Sequence, residues 1–376
     1  MPSPTDPTRA AALQSLHDCP KQPDKYDDDM DDQIDLDRYE CLIKHGQPQF
    51  EPLFHAIRIV QEKIFEAYSR FDADAVRYRK RYLWISILAV VCGATSVFFA
   101  VVEVMNLILP WDLFEAGHAE VIFTLATIAL IAWGLVKKYK ENWILSRYKA
   151  ENLRLLKFKK LTDPSMWCEP GDLDAAANEL QEDVEEISAQ KYEDAKAWAA
   201  KGIHPKAACA PCEDRCPEAL HELVDYYVPK RLDVQIRYLE RRSERQEQRG
   251  EGTSTIVLSL FWGSFAFVLA HIAVGFFQKP DNVAPHPLHV LDAMALAALV
   301  LPIAAAAFRT YRAANEFERN SLRHRATLDS LHALSHKLHA EKDLGEKFKL
   351  VGFCELVLEA DSREFVRLVS EAEWYG

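Results

Sequence analysis

Three of the chain's eight cysteines, Cys209, Cys212 and Cys216, fall within eight residues, with His204 before them and His221 after. Zn²⁺ takes four nitrogen or sulfur ligands in a tetrahedron, and a Cys-x-x-Cys pair supplies two of them from one tight turn. Cys216 adds a third ligand and either histidine closes the set. Zinc is therefore the candidate cofactor of this segment; a redox-sensitive thiol group and an unliganded loop are the alternatives. Only one such knuckle is present, without the second half of a full zinc-finger spacing. His332, His336 and His339 recur at i, i+4 and i+7 along one expected helix. They flank a leucine seam, which makes them a polar border to a packed helix; a metal pair or a pH-sensitive contact is the other reading.

Other chemistry is sparse. Glu103, His271 and Asp292 lie in apolar runs, each near enough to an end to reach water, with a charged ring at the outer mouth of an oligomeric pore as the alternative; no relay of ionisable groups connects them. Asp361-Ser362-Arg363-Glu364 reads as the first turn of the last helix rather than as a catalytic group. The chain has no glycine-rich phosphate loop, no dinucleotide fingerprint, no zinc-protease helix motif and no nucleophile elbow. An enzyme is not expected.

The elements that would position these residues follow from how charge is distributed. Of 376 residues 27% are charged, yet charge almost vanishes from four stretches, 83–109, 119–136, 253–277 and 288–308. Each is close to the ~20 residues that cross a ~30 Å hydrocarbon core as a helix. Residues 110–118 and 278–287 join them in pairs, and links this short make antiparallel hairpins. Trp84, Trp111 and Trp133 fall near the expected water–lipid boundaries. Arginines and lysines crowd the other ends of the spans: Arg77, Arg79, Lys80 and Arg81; Lys137, Lys138 and Lys140; Arg241, Arg242, Arg245 and Arg249; Arg309 and Arg312. The two short links hold a single cation, Lys279. Both termini and the middle segment are thus expected on the cytoplasmic side of the inner membrane. In that reducing compartment a structural disulfide within the Cys209–Cys216 cluster is not expected.

The expected fold class is all-α, with four spans and a helical cytoplasmic stalk. Residues 1–48, rich in Asp27-Asp28-Asp29-Met30-Asp31-Asp32, read as a flexible acidic tail. Residues 49–162 form a first hairpin unit, 163–217 a connector with the cysteine cluster, and 218–376 a second hairpin unit. A formal net charge of −12 argues against nucleic acid as a partner. Leu53, Ile57, Val60, Ile64, Ala67, Phe71 and Ala75 make a helical apolar stripe. Leu220, Leu223, Tyr227, Val234 and Tyr238, then Phe317, Leu331, Leu334 and Leu338, make its counterpart in the second half. These seams pack either within one chain or between subunits of a homo-oligomer. After the second span the helix is expected to continue unbroken through Trp143 to Phe158, and Gly345 to mark a bend before the last helix. Small residues, Gly93 in the first span and Thr255, Ser259 and Gly263 in the third, allow close helix approach in lipid, and Pro302 is expected to kink the fourth. They serve packing inside the four-helix unit, or a face kept for neighbouring subunits or a conducting path.

Two short stretches carry a family resemblance: Arg147-Tyr148-Lys149-Ala150-Glu151-Asn152-Leu153-Arg154 after the first hairpin, and Tyr226-Tyr227 with Arg231-Leu232, Gln235 and Tyr238 before the second. With the Glu359 to Leu368 stretch and the spans, they make most of residues 51–376 resemble two SLATT units in tandem. The resemblance implies a membrane effector of bacterial conflict systems that oligomerises and permeabilises the membrane in antiphage defence. It further implies an upstream sensor protein or nucleotide signal. The chain departs from that picture in having no fused sensor, protease or nucleotide-binding domain, and the cysteine cluster is not part of the family pattern. Arg147, Glu151, Arg154, Arg231 and Gln235, on helices next to the spans, are the candidates for coupling a signal to the membrane. A non-conducting scaffold anchoring a cytoplasmic partner and a small housekeeping channel are the alternatives.

Overall fold

The computed structural model describes residues 19–23, 25–108, 116–163, 173–201, 217–277, 287–315 and 317–371. Among these residues the regular elements are all helical. They are α1 (Gln33–Lys44), a 3₁₀ turn (Pro48–Phe50), α2 (Glu51–Ile108), α3 (Ala116–Val136), α4 (Tyr139–Leu161), α5 (Leu173–Ala189) and α6 (Tyr192–Ala200). There follow α7 (Pro217–Tyr227), a π-helical turn (Val228–Leu232), α8 (Asp233–Phe277), α9 (Pro287–Asn315), α10 (Phe317–Ala340) and α11 (Leu344–Glu371).

Local chemistry explains the breaks. α1 ends at Gly46, whose φ of 83° suits a residue without Cβ, and the Gln47 and Gly46 amides bond back to the Leu42 and Ile43 carbonyls. The helix expected to run unbroken beyond the second span is interrupted at Lys137–Lys138. Lys138 adopts a φ of 49°, which ends the hydrogen-bond ladder of α3 before α4 restarts. The bend expected at Gly345 falls at 341–343 instead, where Asp343 Oδ1 accepts the Glu346 amide and caps α11. Residues 361–364 therefore lie inside α11, not at its start. The π turn forms around Pro229, which has no N–H to give the Asp225 carbonyl four residues earlier; Gln22 Nε2 donates to that carbonyl at 3.2 Å.

The described residues within Met1–Val76, Glu141–Arg242 and Arg323–Glu373 form one compact unit; those within Arg77–Lys140 and Ser243–Leu322 form another. In the first, segments from both halves of the chain share one large core, beside a smaller cluster of Ile144, Tyr148, Ala195 and Val366. Leu53, Ile57, Val60 and Ile64 are fully buried with Phe158, Leu220, Leu223, Tyr227, Leu331 and Leu338. Burying each aliphatic side chain is worth about 1.5–3 kcal/mol. The seams are thus consumed within the chain. Residues 19–48 correct the expectation of a flexible tail: Tyr26, Met30 and Tyr39 join the core, and Asp29, Asp32 and Asp35 are buried with them. A run of aspartates orders when fixed cations meet it.

The second unit holds the apolar stretches. Four helical stretches, within Pro48–Glu103, His118–Leu161, Ala219–Val274 and Ala293–Ala340, are long and apolar enough to cross a membrane. Their most apolar windows are only 17%, 0%, 6% and 6% buried. Trp84, Leu125, Ile128, Trp133, Phe261 and Trp262 point outward. Within the hairpins, Gly93 faces Thr127 Cγ2 at 3.8 Å, and Gly263 faces Leu301 Cδ1 at 3.4 Å, both measured from a Cβ built on the glycine. Ser96 and Thr124 join hydroxyls at 2.6 Å. Thr255 and Ser259 are exposed, so the stripe they form with Gly263 is not one packing face of the hairpin.

Pro302, inside α9, removes the amide that the Ala298 carbonyl needs, and Ser264 Oγ donates to that carbonyl at 2.7 Å. Ser264→Ala is expected to cost about 0.6–2 kcal/mol, the range for side-chain hydrogen bonds in lipid. The cost should largely disappear in a Pro302→Ala background, where a new backbone amide takes the carbonyl. Reversible unfolding in bicelles measures the cycle; equal costs in both backgrounds would contradict this role.

Candidate functional site

The helices of the first unit converge on a lattice of charge. Its acidic half comes from the segment before and into α1. Asp29, Asp32 and Asp35 recur every third residue, and all three carboxylates are buried. Its basic half comes from α4, which brings Arg147, Arg154 and Lys157, and from the π turn, which brings Lys230 and Arg231. The wider π turn lets two consecutive cations both face inward; Arg231 is 1% exposed. Glu151 from α4 and Glu355 from α11 complete it.

Each charge is met. Arg231 spans two partners: Nε and Nη2 hold Glu355 Oε1 and Oε2 at 3.0 and 3.1 Å, and Nη1 holds Asp29 Oδ2 at 2.7 Å. Gln235 Nε2 donates to the same Asp29 oxygen at 2.8 Å, and Arg154 Nε lies 3.2 Å from Asp29 Oδ1. Lys157 Nζ sits 2.7 Å from Asp32 Oδ2 and donates to the Asp29 carbonyl at 2.6 Å. Tyr226 gives its hydroxyl to Asp32 at 2.7 Å, and Tyr227 gives its own to Glu355 at 2.8 Å. Lys230 pairs with Asp35 at 3.2 Å and reaches the Asp31 carbonyl. Arg147 pairs with Glu151 and, at 3.0 Å, with Asp72 on α2. The guanidinium of Arg231 also lies over the Phe158 ring, 4.6 Å from its centre.

Electrostatics follow from this geometry. Burial alone would raise the Asp29 carboxyl, but Arg154 and Arg231 overcome it and hold it far below the carboxylate range. Burial likewise works against Glu151, and Arg147 and Arg154 reverse it. Asp35 goes the other way: burial outweighs Lys230 and raises it. Burial lowers Lys157 despite Asp32. Nothing in this set resembles an activated nucleophile. What the lattice does is fasten the 25–35 segment to α4, the π turn and α11 at once.

His324 on α10 gives the unit a second acid-sensitive point. Burial, then Arg323 and Arg242 beside it, push its imidazole down to about 3. The folded value lies below the unfolded one, so its contribution to stability is complete above about pH 6.5. It fades as pH falls from there toward the folded value. His324→Gln is expected to flatten the fall in unfolding free energy between about pH 6 and 4, as read from denaturant titrations at each pH; an unchanged slope would contradict it.

The residues expected to couple signal to membrane, Arg147, Glu151, Arg154, Arg231 and Gln235, all meet in this lattice. Helix faces alone did not reveal their acidic partners on residues 29–35, nor Lys157 and Lys230. A lysine inside Leu155-Leu156-Lys157-Phe158 was the signal in the sequence. Of the expected zinc ligands, His204, Cys209, Cys212 and Cys216 lie outside the described residues, and His221 is exposed on α7. His332 lies 3.4 Å from Glu240, and His336 and His339 are exposed beside buried Leu331 and Leu338, a polar border to a packed face. Glu103 is exposed, and the side chain of Asp292 lies outside the description.

No protein-family model, no curated protein and no solved structure matches this chain. The SLATT resemblance consequently rests on the short stretches named above, most of whose polar residues are lattice members: Arg147, Glu151, Arg154, Arg231 and Gln235. In this chain those residues pair with one another or with Asp29; Arg231 and Gln235 are buried, and Arg147, Glu151 and Arg154 half-buried.

Proposed function

We propose that this chain is a membrane effector that assembles with copies of itself in the cytoplasmic membrane and permeabilises it on an upstream signal. Bacterial antiphage defence is the setting implied by the SLATT resemblance. The observation that carries the reading is covalent continuity. α2 contains both Asp72, a lattice contact, and the first apolar stretch; α8 contains both Gln235 and the third. A change that loosens the lattice therefore acts on helices that also enter the bilayer. A ligand or partner does this only by favouring one arrangement over the other. The nearly unburied apolar windows leave ample surface for lipid and for neighbouring subunits.

Assembly through the third stretch is tested by crosslinking. Ser259→Cys, on an exposed position, is expected to give a covalent dimer in oxidised membranes. Ser264→Cys, on the packed side of the hairpin, should not. Equal yields from both, or none from either, would contradict assembly along this face.

A further inference from the structure

We propose that Cys19, Cys41 and His45 form a Zn²⁺ site when the two cysteines are reduced. This is separate from the Cys209–Cys216 cluster. Cys19 begins the described chain, Cys41 lies on α1, and His45 follows α1 one helical turn after Cys41, held there by the Gly46 cap. The two sulfurs are joined in a disulfide in the structure. His45 Nδ1 lies 3.7 Å from Cys19 Sγ and 3.6 Å from Cys41 Sγ. Tetrahedral zinc, with Zn–S about 2.3 Å and Zn–N about 2.0–2.1 Å, needs S···N edges of about 3.6 Å. Two of the three ligand edges are therefore already in place. The third, S···S, needs about 3.8 Å and opens only when the disulfide does. Cα atoms 5.6 Å apart leave side-chain rotation to supply it.

The compartment decides which form holds. With both termini cytoplasmic, as the arginines and lysines beside the spans lead one to expect, low-molecular-weight thiols keep such pairs reduced. Two such thiols give two electrons and two protons to the disulfide and leave as their own disulfide. Zn²⁺ then displaces one proton from each cysteine, forming two Zn–S bonds. His45 Nδ1 donates to the Cys41 carbonyl at 2.8 Å. To ligate, it carries its proton on Nε2 and turns its lone pair to the metal. Cys19 is buried, Cys41 half-buried and His45 exposed, so the ion enters from solvent at the histidine side and leaves one coordination position for water. The group joins the start of the 19–32 segment to the end of α1, on either side of Asp29 and Asp32. Metal at this point closes the loop that carries the acidic half of the lattice.

The test uses the full chain, purified in detergent with a phosphine reductant and supplied with Zn²⁺, then desalted and analysed for metal. Cys41→Ser and His45→Gln are each compared with the unsubstituted protein and with Cys209→Ser/Cys212→Ser. Both Cys41→Ser and His45→Gln are expected to lose about one equivalent of zinc per chain, whatever the Cys209 pair retains. Substituted Co²⁺ should lose thiolate-to-metal absorption in Cys41→Ser. His45 is exposed, so His45→Gln keeps the test valid if Cys41→Ser folds poorly. Zinc content unchanged by both variants overturns the proposal. So does a Cys19–Cys41 disulfide that persists under the reductant. Because metal is counted on purified protein, the result does not depend on whether the chain permeabilises membranes.

Discussion

Arg231→Ala is expected to remove about 3–5 kcal/mol from the unit that holds the lattice, because it leaves Asp29 and Glu355 buried without their shared cation. Whole domains are stable by only about 5–15 kcal/mol, so the loss is a large share. Three of the five guanidinium donors are engaged, two of them as a parallel pair on Glu355. A lysine offers one compact charge and cannot span both carboxylates. Arg231→Lys should therefore recover less than half of the stability. Helical content and membrane insertion are expected to survive, since the apolar stretches belong to a different unit. Denaturant unfolding of the detergent-solubilised chain, followed by near-ultraviolet circular dichroism, measures the cost. In cells, toxicity or oligomer size should change. A loss under about 1 kcal/mol would mean that Arg231 is solvated in solution and that the lattice is looser than the geometry indicates.

Lys157→Met tests the other end of the same lattice. Its ammonium pairs with Asp32 and bonds the Asp29 and Met30 carbonyls, so one substitution leaves two backbone acceptors wanting and Asp32 with only Tyr226 and Lys230. A cost of about 3–5 kcal/mol is again expected, but it should be spent locally. Hydrogen exchange and proteolysis should rise across residues 25–32 while the α2 stripe from Leu53 to Ile64 stays protected. Pairing Lys157→Met with Asp32→Leu should recover part of the loss, because removing both partners of a buried pair is far less costly than removing one. Uniform loss of protection across the unit would show that the segment and the core unfold together.

Much of the fold was legible because burial imposes a period. The Leu53–Ala75 stripe and the four charge-free runs state their own geometry, and helices α2, α8 and α9 follow them. What escaped was long-range pairing of charge. Asp29, Asp32 and Asp35 look like a solvated acidic run until cations from residues 154, 157, 230 and 231 are brought to them. Charge density along the chain reports repulsion between neighbours; it says nothing of partners more than a hundred residues away. The same holds for Pro302 and Pro229. Pro302 announced an irregular helix and Pro229 went unread, and the serine and glutamine that satisfy the freed carbonyls come from other elements. The break at Lys138 had no breaker residue to announce it. Of the five coupling candidates, Arg147, Glu151 and Arg154 lie on α4, Arg231 in the π turn and Gln235 on α8; their common environment required the folded core.

The proposed function turns on whether loosening the lattice opens the membrane. The most direct measurement is dye-reported membrane potential in vesicles of bacterial phospholipid reconstituted with the full chain. It compares the unsubstituted protein, Lys157→Met, and Lys157→Met combined with Gly263→Leu, which forces a side chain onto Leu301 in the hairpin. The expected result is a small leak from the first, rapid collapse of the potential with the second, and restored insulation with the third. A potential that holds equally in all three, with insertion verified by protease protection, would contradict the effector reading and leave a non-conducting scaffold in its place.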